Sequence, residues 1–178
     1  ASEKFNVESP LAVHLGLALT KGGKFDAALR ASVELGVCSV TSLTTDRCVI
    51  KKHPAKTKSE RWKKIVLESS KQCGRAKVPL VADDIESLEE FCRNNDDRDI
   101  KLVFWENESN NSLKNIKLDQ VPCSVAVLIG PEGGFSLDEI NIVREYGFQA
   151  VRMGPRIIRS ETAPVVVLAL LQSSWGDL

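Results

Sequence analysis

No apolar run in this chain reaches the roughly 20 residues of a membrane-spanning helix; the longest, residues 165–171, stops far short. The first eight residues carry no apolar h-region, so no signal peptide is expected. Cysteines occur at 38, 48, 73, 92 and 123, odd in number, without Cys-x-x-Cys pairs or a neighbouring histidine cluster. That pattern speaks against a zinc site and a disulfide framework, and predicts reduced, mostly buried thiols with no bound metal. Internal repeats are absent. Net charge is also absent, with 24 basic and 24 acidic residues. What remains is a 178-residue chain, 43% hydrophobic and 27% charged, which fits one soluble globular domain with a real core.

The neutral total conceals a segregation. Residues 47–77 hold eleven Lys or Arg against Glu60 and Glu68, whereas residues 83–99 hold eight acids against Arg93 and Arg98. A basic face on a neutral protein is the footprint of a phosphate-backbone contact; a solvated helix with a lysine-rich loop is the plainer alternative.

The most informative stretch is residues 124–140. An aliphatic run at 125–129 has the composition of a strand buried on both faces. It stops at Gly130-Pro131-Glu132-Gly133-Gly134, where three glycines free the backbone for positive φ and close ligand approach. A helix follows, with Ser136 as N-cap, Glu139 as capping-box partner, and Phe135 and Ile140 as a hydrophobic staple. In an open α/β sheet, ligands bind beyond the carboxyl ends of such strands. No Lys-Ser/Thr follows the glycines and their spacing is not that of the dinucleotide fingerprint, so a different ligand is implied.

Residues 149–153 read as a second short strand, and 154–162 (Gly-Pro-Arg-Ile-Ile-Arg-Ser-Glu-Thr) lead into a last helix expected to be capped by Ser160. That helix carries residues 165–171, apolar all round and so in need of cover on every side. Upstream, strands are expected at 12–20, 37–43, 80–82 and 101–106, and helices at 24–35, at 59–73 capped by Ser59, and at 85–94. Residues 51–58 read as a basic loop and 106–122 mostly as loop. Trp62 belongs to an apolar stripe and is expected in the core, whereas Lys63, Lys64 and Lys71 fall outside it. Strands alternating with helices imply a mainly parallel sheet.

The segments 129–139 and 154–162, with Lys24 to Val37, Thr45-Asp-Arg47, Arg61-Trp62 and Gln72-Cys-Gly-Arg75, resemble the RsmE family of ribosomal RNA uridine-N3 methyltransferases, within the SPOUT superfamily. The likeness runs in order along nearly the whole chain. It implies one SPOUT domain over residues 1–178, a mainly parallel sheet flanked by helices with a deep carboxyl-terminal trefoil knot, and a homodimer. Residues 1–11 are linker-like, and the family's amino-terminal PUA-like RNA-binding domain has no counterpart in the sequence. S-adenosylmethionine (SAM) is the implied cofactor, held by Phe104, Trp105, Leu128, Ile129, Gly130, Pro131, Glu132, Gly133, Gly134, Met153, Gly154, Ile158, Arg159, Ser160 and Thr162.

Gly133 in particular is expected to offer bare backbone to the ligand. Arg156 and Arg159 are candidates for phosphate or uracil-oxygen contacts, and Glu132 or Glu161 for the proton acceptor; each also has a purely structural reading. Arg47, Lys63, Lys64 and Arg75 are the expected contacts to small-subunit ribosomal RNA. A ribose 2′-hydroxyl is the alternative target, and an idle RNA-binding or dimerisation module the alternative class. The compartment implied is the cytoplasm or an organelle with its own ribosomes.

Overall fold

The computed structural model describes residues 7–49 and 55–178. Six strands, β1 (Ala12–Ala18), β2 (Val37–Leu43), β3 (Leu80–Val81), β4 (Ile100–Phe104), β5 (Ser124–Ile129) and β6 (Gln149–Val151), form one sheet in the order β3-β2-β1-β5-β4-β6. Every pairing is parallel. Four α-helices connect them, α1 (Lys24–Glu34), α2 (Ala55–Cys73), α3 (Leu88–Asn94) and α4 (Leu137–Glu145), and a fifth, α5 (Ala163–Trp175), follows β6. The chain builds outward from β1 through β2 to β3, then returns to the other side of β1. Such a reversal opens a crevice at the strands' carboxyl ends.

Strand β5 bears out the reading of its aliphatic run, since Val125 to Ile129 are all at most 2% exposed. Val125, Val127 and Ile129 pack with Phe25, Trp62 and Val167 of α1, α2 and α5. Ala126 and Leu128 point to the opposite face, against Phe91, Phe135, Ile140 and Val143. Burial on both faces removes the need for alternation, which is why the strand reads as an unbroken apolar run. Trp62 is core as expected: its ring lies 4.5 Å from that of Phe25, and its indole N–H donates to Asp26 at 3.1 Å. Arg61 also donates to Asp26, so the Arg-Trp pair pins α2 to α1.

Helix punctuation was legible where the signal is local. Ser136 accepts from the Glu139 N–H at 3.2 Å, and Glu139 accepts from the Ser136 N–H at 2.8 Å. The staple residues Phe135 and Ile140 are buried. Elsewhere the boundaries differ. Helix α3 begins at Leu88 rather than Ile85, with its own capping box on Ser87 and Glu90. Residues 85–87 cannot be helical because Glu86 exchanges backbone hydrogen bonds with Ser42 and Thr44 beyond β3. Helix α2 begins at Ala55, a turn before Ser59, which is buried inside it; Ala-Lys-Thr-Lys contains no breaker to stop that extension. Of the expected basic loop, residues 51–54 lie outside the described residues and 55–58 are helical.

Helix α5 starts after Thr162, which occupies the N-cap without a side-chain bond. Ser160 is buried instead, its hydroxyl turned to Glu161 at 3.3 Å. Nor is α5 enclosed all round: Val167, Leu168 and Leu171 are fully buried, whereas Leu170 is 39% exposed. Its Gln172, 1% exposed, donates to the Leu35 carbonyl at 3.1 Å and accepts from Ser9 at 2.6 Å, tying the carboxyl-terminal helix to the end of α1. All five cysteines are free thiols; Cys48 and Cys92 are buried, Cys38 and Cys73 half-buried, and Cys123 exposed. Burial pushes the Cys92 thiol up to about 12, leaving it inert. Among the described residues, no helix is long and apolar enough to cross a membrane.

Candidate active site

Phe104, Ile129 and Val151 close three neighbouring strands and stand in register, Phe104 pairing with both of the others. The loops that follow therefore leave the sheet at one level. Residues 105–106, 130–134 and 152–161 curl over the strand ends, together with Lys24 at the start of α1, and enclose a cavity of about 470 Å³. That volume lies within the range of small-molecule and cofactor sites.

The glycine loop turns through a 2.9 Å bond from the Gly134 N–H to the Pro131 carbonyl. Of its three glycines only Gly134 has positive φ, at 68°. A Cβ there would sit 2.0 Å from a carboxylate oxygen of Glu106, so that carboxylate lies directly over the glycine. Gly133 takes ordinary φ, and its missing Cβ faces the Arg47 side chain at 3.1 Å rather than a ligand. The expectation that a side chain at Gly133 would enter the cavity directly is therefore revised.

Three charged groups meet at one wall. The Lys24 ammonium donates to Glu132 at 3.1 Å and lies 3.9 Å from Glu161, with all three side chains part-exposed. Burial pushes the Glu132 carboxyl up, but its own N–H, Lys24 and the Lys21 N–H outweigh that and hold it below the usual carboxylate range. Glu132 is therefore an ionised anchor at neutral pH. Arg156 and Arg159 are exposed on the rim, and the Arg159 carbonyl accepts the N–H groups of Thr162 and Ala163 at 2.9 Å each. Trp105 also lines the cavity, with the Arg144 guanidinium 5.9 Å from its ring centroid. Behind it, Glu108 accepts from the Asn110 and Asn111 N–H groups at 2.9 and 3.2 Å and so shapes the loop after β4.

Most of the expected site converges here. Phe104, Trp105, Ile129, Gly130, Pro131, Glu132, Gly133, Gly134, Met153, Gly154, Arg156, Ile158, Arg159, Ser160 and Glu161 all line the cavity. Leu128 does not, because strand alternation turns it to the other face of the sheet, and Thr162 stands outside on the α5 N-cap. Glu106, at the expected end of the strand Phe104-Trp105-Glu106, lines it too, whereas Lys24 and Arg152 line it without having been expected as site residues. Lys24 opens α1 just beyond the carboxyl end of β1, which is the signal that finds it once β1 is placed beside β5.

The residues expected to meet RNA separate. Lys63 and Lys64 are exposed on α2, Lys63 paired with Asp83 across to the acidic segment. Arg75 is withdrawn: only 8% of its side chain is exposed, and its guanidinium donates to Glu8 at 2.7 Å and to the Val33 and Val37 carbonyls at 3.2 and 2.7 Å. Arg47 donates to the Gly133 carbonyl at 2.7 Å.

A parallel sheet with a ligand-sized cavity at three aligned strand ends defines an α/β ligand-binding domain, and the RNA methyltransferase domain family model matches residues 7–172. The chain is 35% identical over 174 residues to the ribosomal RNA small subunit methyltransferase E of Buchnera aphidicola, covering 97% of this chain and 67% of that one. The crystal structure of a ribosomal RNA small subunit methyltransferase E from Neisseria gonorrhoeae bound to S-adenosyl methionine superposes with a TM-score of 0.87. It is 34% identical, over 99% of this chain and 71% of that one. The chain belongs to the RNA methyltransferase domain family, and within it to the ribosomal RNA small subunit methyltransferase E group. An A. aeolicus TrmH/SpoU tRNA modifying enzyme, 15% identical over 92% of this chain and 74% of that one, shares the fold alone with a TM-score of 0.56.

Proposed function

We propose that this chain methylates N3 of a uridine in small-subunit ribosomal RNA, with SAM as methyl donor. The observation that supports it most is the cavity at the aligned ends of β4, β5 and β6, walled by backbone loops and edged by Lys24, Glu132, Glu161, Arg156 and Arg159. The residues suit the cofactor: apolar Phe104, Ile129, Met153 and Ile158 suit a flat ring, and Glu106, Glu132 and Glu161 suit a cationic group. When bound, SAM supplies an electrophilic methyl group.

The chain's own part is positioning, exclusion of water and management of one proton. The N3–H of a uridine must lose its proton, and the negative charge that spreads to the ring oxygens must be stabilised. Arg156 and Arg159 at the rim are the groups for those oxygens or for a flanking phosphate. Glu161 or Glu132 accepts the proton, and Lys24 between them keeps both carboxylates oriented. The ribosomal RNA backbone runs along α2 at Lys63 and Lys64. In the same reading the carboxyl-terminal segment forms the deep trefoil knot, and two copies pair along the half-exposed side of α5.

The test is incubation with SAM labelled in its methyl group and small ribosomal subunits, followed by digestion to nucleosides. Labelled 3-methyluridine is the expected product. A 2′-O-methylated nucleoside would move the target to the ribose, and no SAM binding by calorimetry would leave an idle module.

A further inference from the structure

Residues 44–48 follow β2, yet they reach the glycine loop after β5, although β1 lies between those two strands. The reach is built from three hydrogen bonds. Arg47 Nη1 donates to the Gly133 carbonyl at 2.7 Å, the Asp46 N–H donates to Glu139 Oε1 at 2.8 Å, and the Ser136 hydroxyl donates to Asp46 Oδ2 at 2.8 Å. The turn's own base is anchored to the end of β1. The Cys48 N–H donates to the Thr45 carbonyl at 3.1 Å, and the Cys48 thiol to the Leu19 carbonyl at 3.4 Å. Glu139, 4% exposed, thus uses one carboxylate oxygen for its capping box and the other for Asp46.

We infer that Asp46 and Arg47 are positioning residues that clamp the loop 130–134 in its cofactor-receiving shape, and that Arg47 is not an RNA contact. This rests on the SAM reading given above. A glycine loop has little side-chain packing to define it, so its shape depends on bonds made to its backbone. Arg47 supplies one at the Gly133 carbonyl, and the arginine stem covers the face that the missing Cβ leaves bare. Asp46 holds the other end through the cap of α4. The loop is therefore fastened on the side away from the cavity, leaving its inner side for the ligand.

Calorimetric titration of SAM into the RNA-free protein tests the clamp. Arg47→Ala and Asp46→Ala should each raise the Kd about five- to tenfold, the loss expected for one net hydrogen bond. Arg47→Lys keeps one donor and should recover most of the loss, while Lys117→Ala, at an exposed position outside the cavity lining, should leave the Kd unchanged. In turnover, the KM for SAM should rise with the Kd, with kcat at saturating SAM and the KM for RNA within about twofold of the parent. Amide exchange should quicken over residues 130–139 in Arg47→Ala and stay unchanged in β1 and β5. An unchanged Kd, a rise confined to the KM for RNA, or unaltered exchange in that segment would overturn the clamp. A parent chain that fails to bind SAM would instead strike the cofactor reading, and the exchange data would still decide whether the clamp exists.

Discussion

Replacing Gly134 by alanine isolates the backbone requirement of the glycine loop. At φ 68° an L-residue meets its own carbonyl, a cost of about 1–2 kcal/mol. The new Cβ would also fall 2.0 Å from Glu106 Oε1 and 2.7 Å from its Cδ. Glu106 is exposed and its carboxylate is the far end of a flexible side chain, so it swings into solvent at little further cost. The total stays at about 1–2 kcal/mol, which for a domain of this size lowers the melting midpoint by about 3–6 °C. Gly133→Ala is the comparison: its φ is ordinary, and the Arg47 Cβ at 3.1 Å has to give by only a few tenths of an ångström, so a smaller loss of below about 1 kcal/mol is expected. Urea denaturation and scanning calorimetry of both variants read the difference directly. The reasoning fails if Gly134→Ala is as stable as the parent, or if Gly133→Ala suffers the larger loss.

Arg75→Ala should cost about 2 kcal/mol in a urea titration, because it removes a buried guanidinium that donates to Glu8 and to the Val33 and Val37 carbonyls, while the salt dependence of RNA binding stays put. Burial pushes the Glu8 carboxyl up, but Arg75 and the Lys77 and Ala76 N–H groups outweigh it and hold it below the ordinary range. Its contribution to stability is thus present above the unfolded carboxylate pKa and lost as pH falls through the lower folded value; Glu8→Gln should flatten that acid limb of the stability profile. Lys63→Ala with Lys64→Ala should reduce the slope of log K against log salt by about 0.7–0.9 for each phosphate no longer neutralised, and an unchanged slope would make α2 a merely solvated face. On α5, Leu170→Glu should dissociate the proposed dimer in sedimentation without unfolding the chain, whereas Val167→Asp, at a fully buried position, should unfold it. A parent that sediments as a monomer at micromolar concentration would end the dimer proposal.

The strand, turn and helix of residues 124–140 were legible because each of their signals is local. An unbroken aliphatic run means burial on two faces, and Ser136 with Glu139 satisfies backbone groups only three residues away. The Trp62 stripe was legible for the same reason, since helical spacing names a face without reference to any partner. The same resolution failed at Ile85, where a backbone exchange with Ser42 and Thr44 overrode local helix preference.

Charged residues were where the tertiary structure decided. Arg47 and Arg75 belong to one basic stretch and look alike in sequence, yet one fastens the glycine loop and the other is buried against Glu8. Lys24 joins the site only because β1 lies beside β5, which brings it to a carboxylate 108 residues away. An arginine or lysine can pair with any acceptor the fold brings within reach of its long stem. Local sequence carries no record of that choice; the order of the strands does.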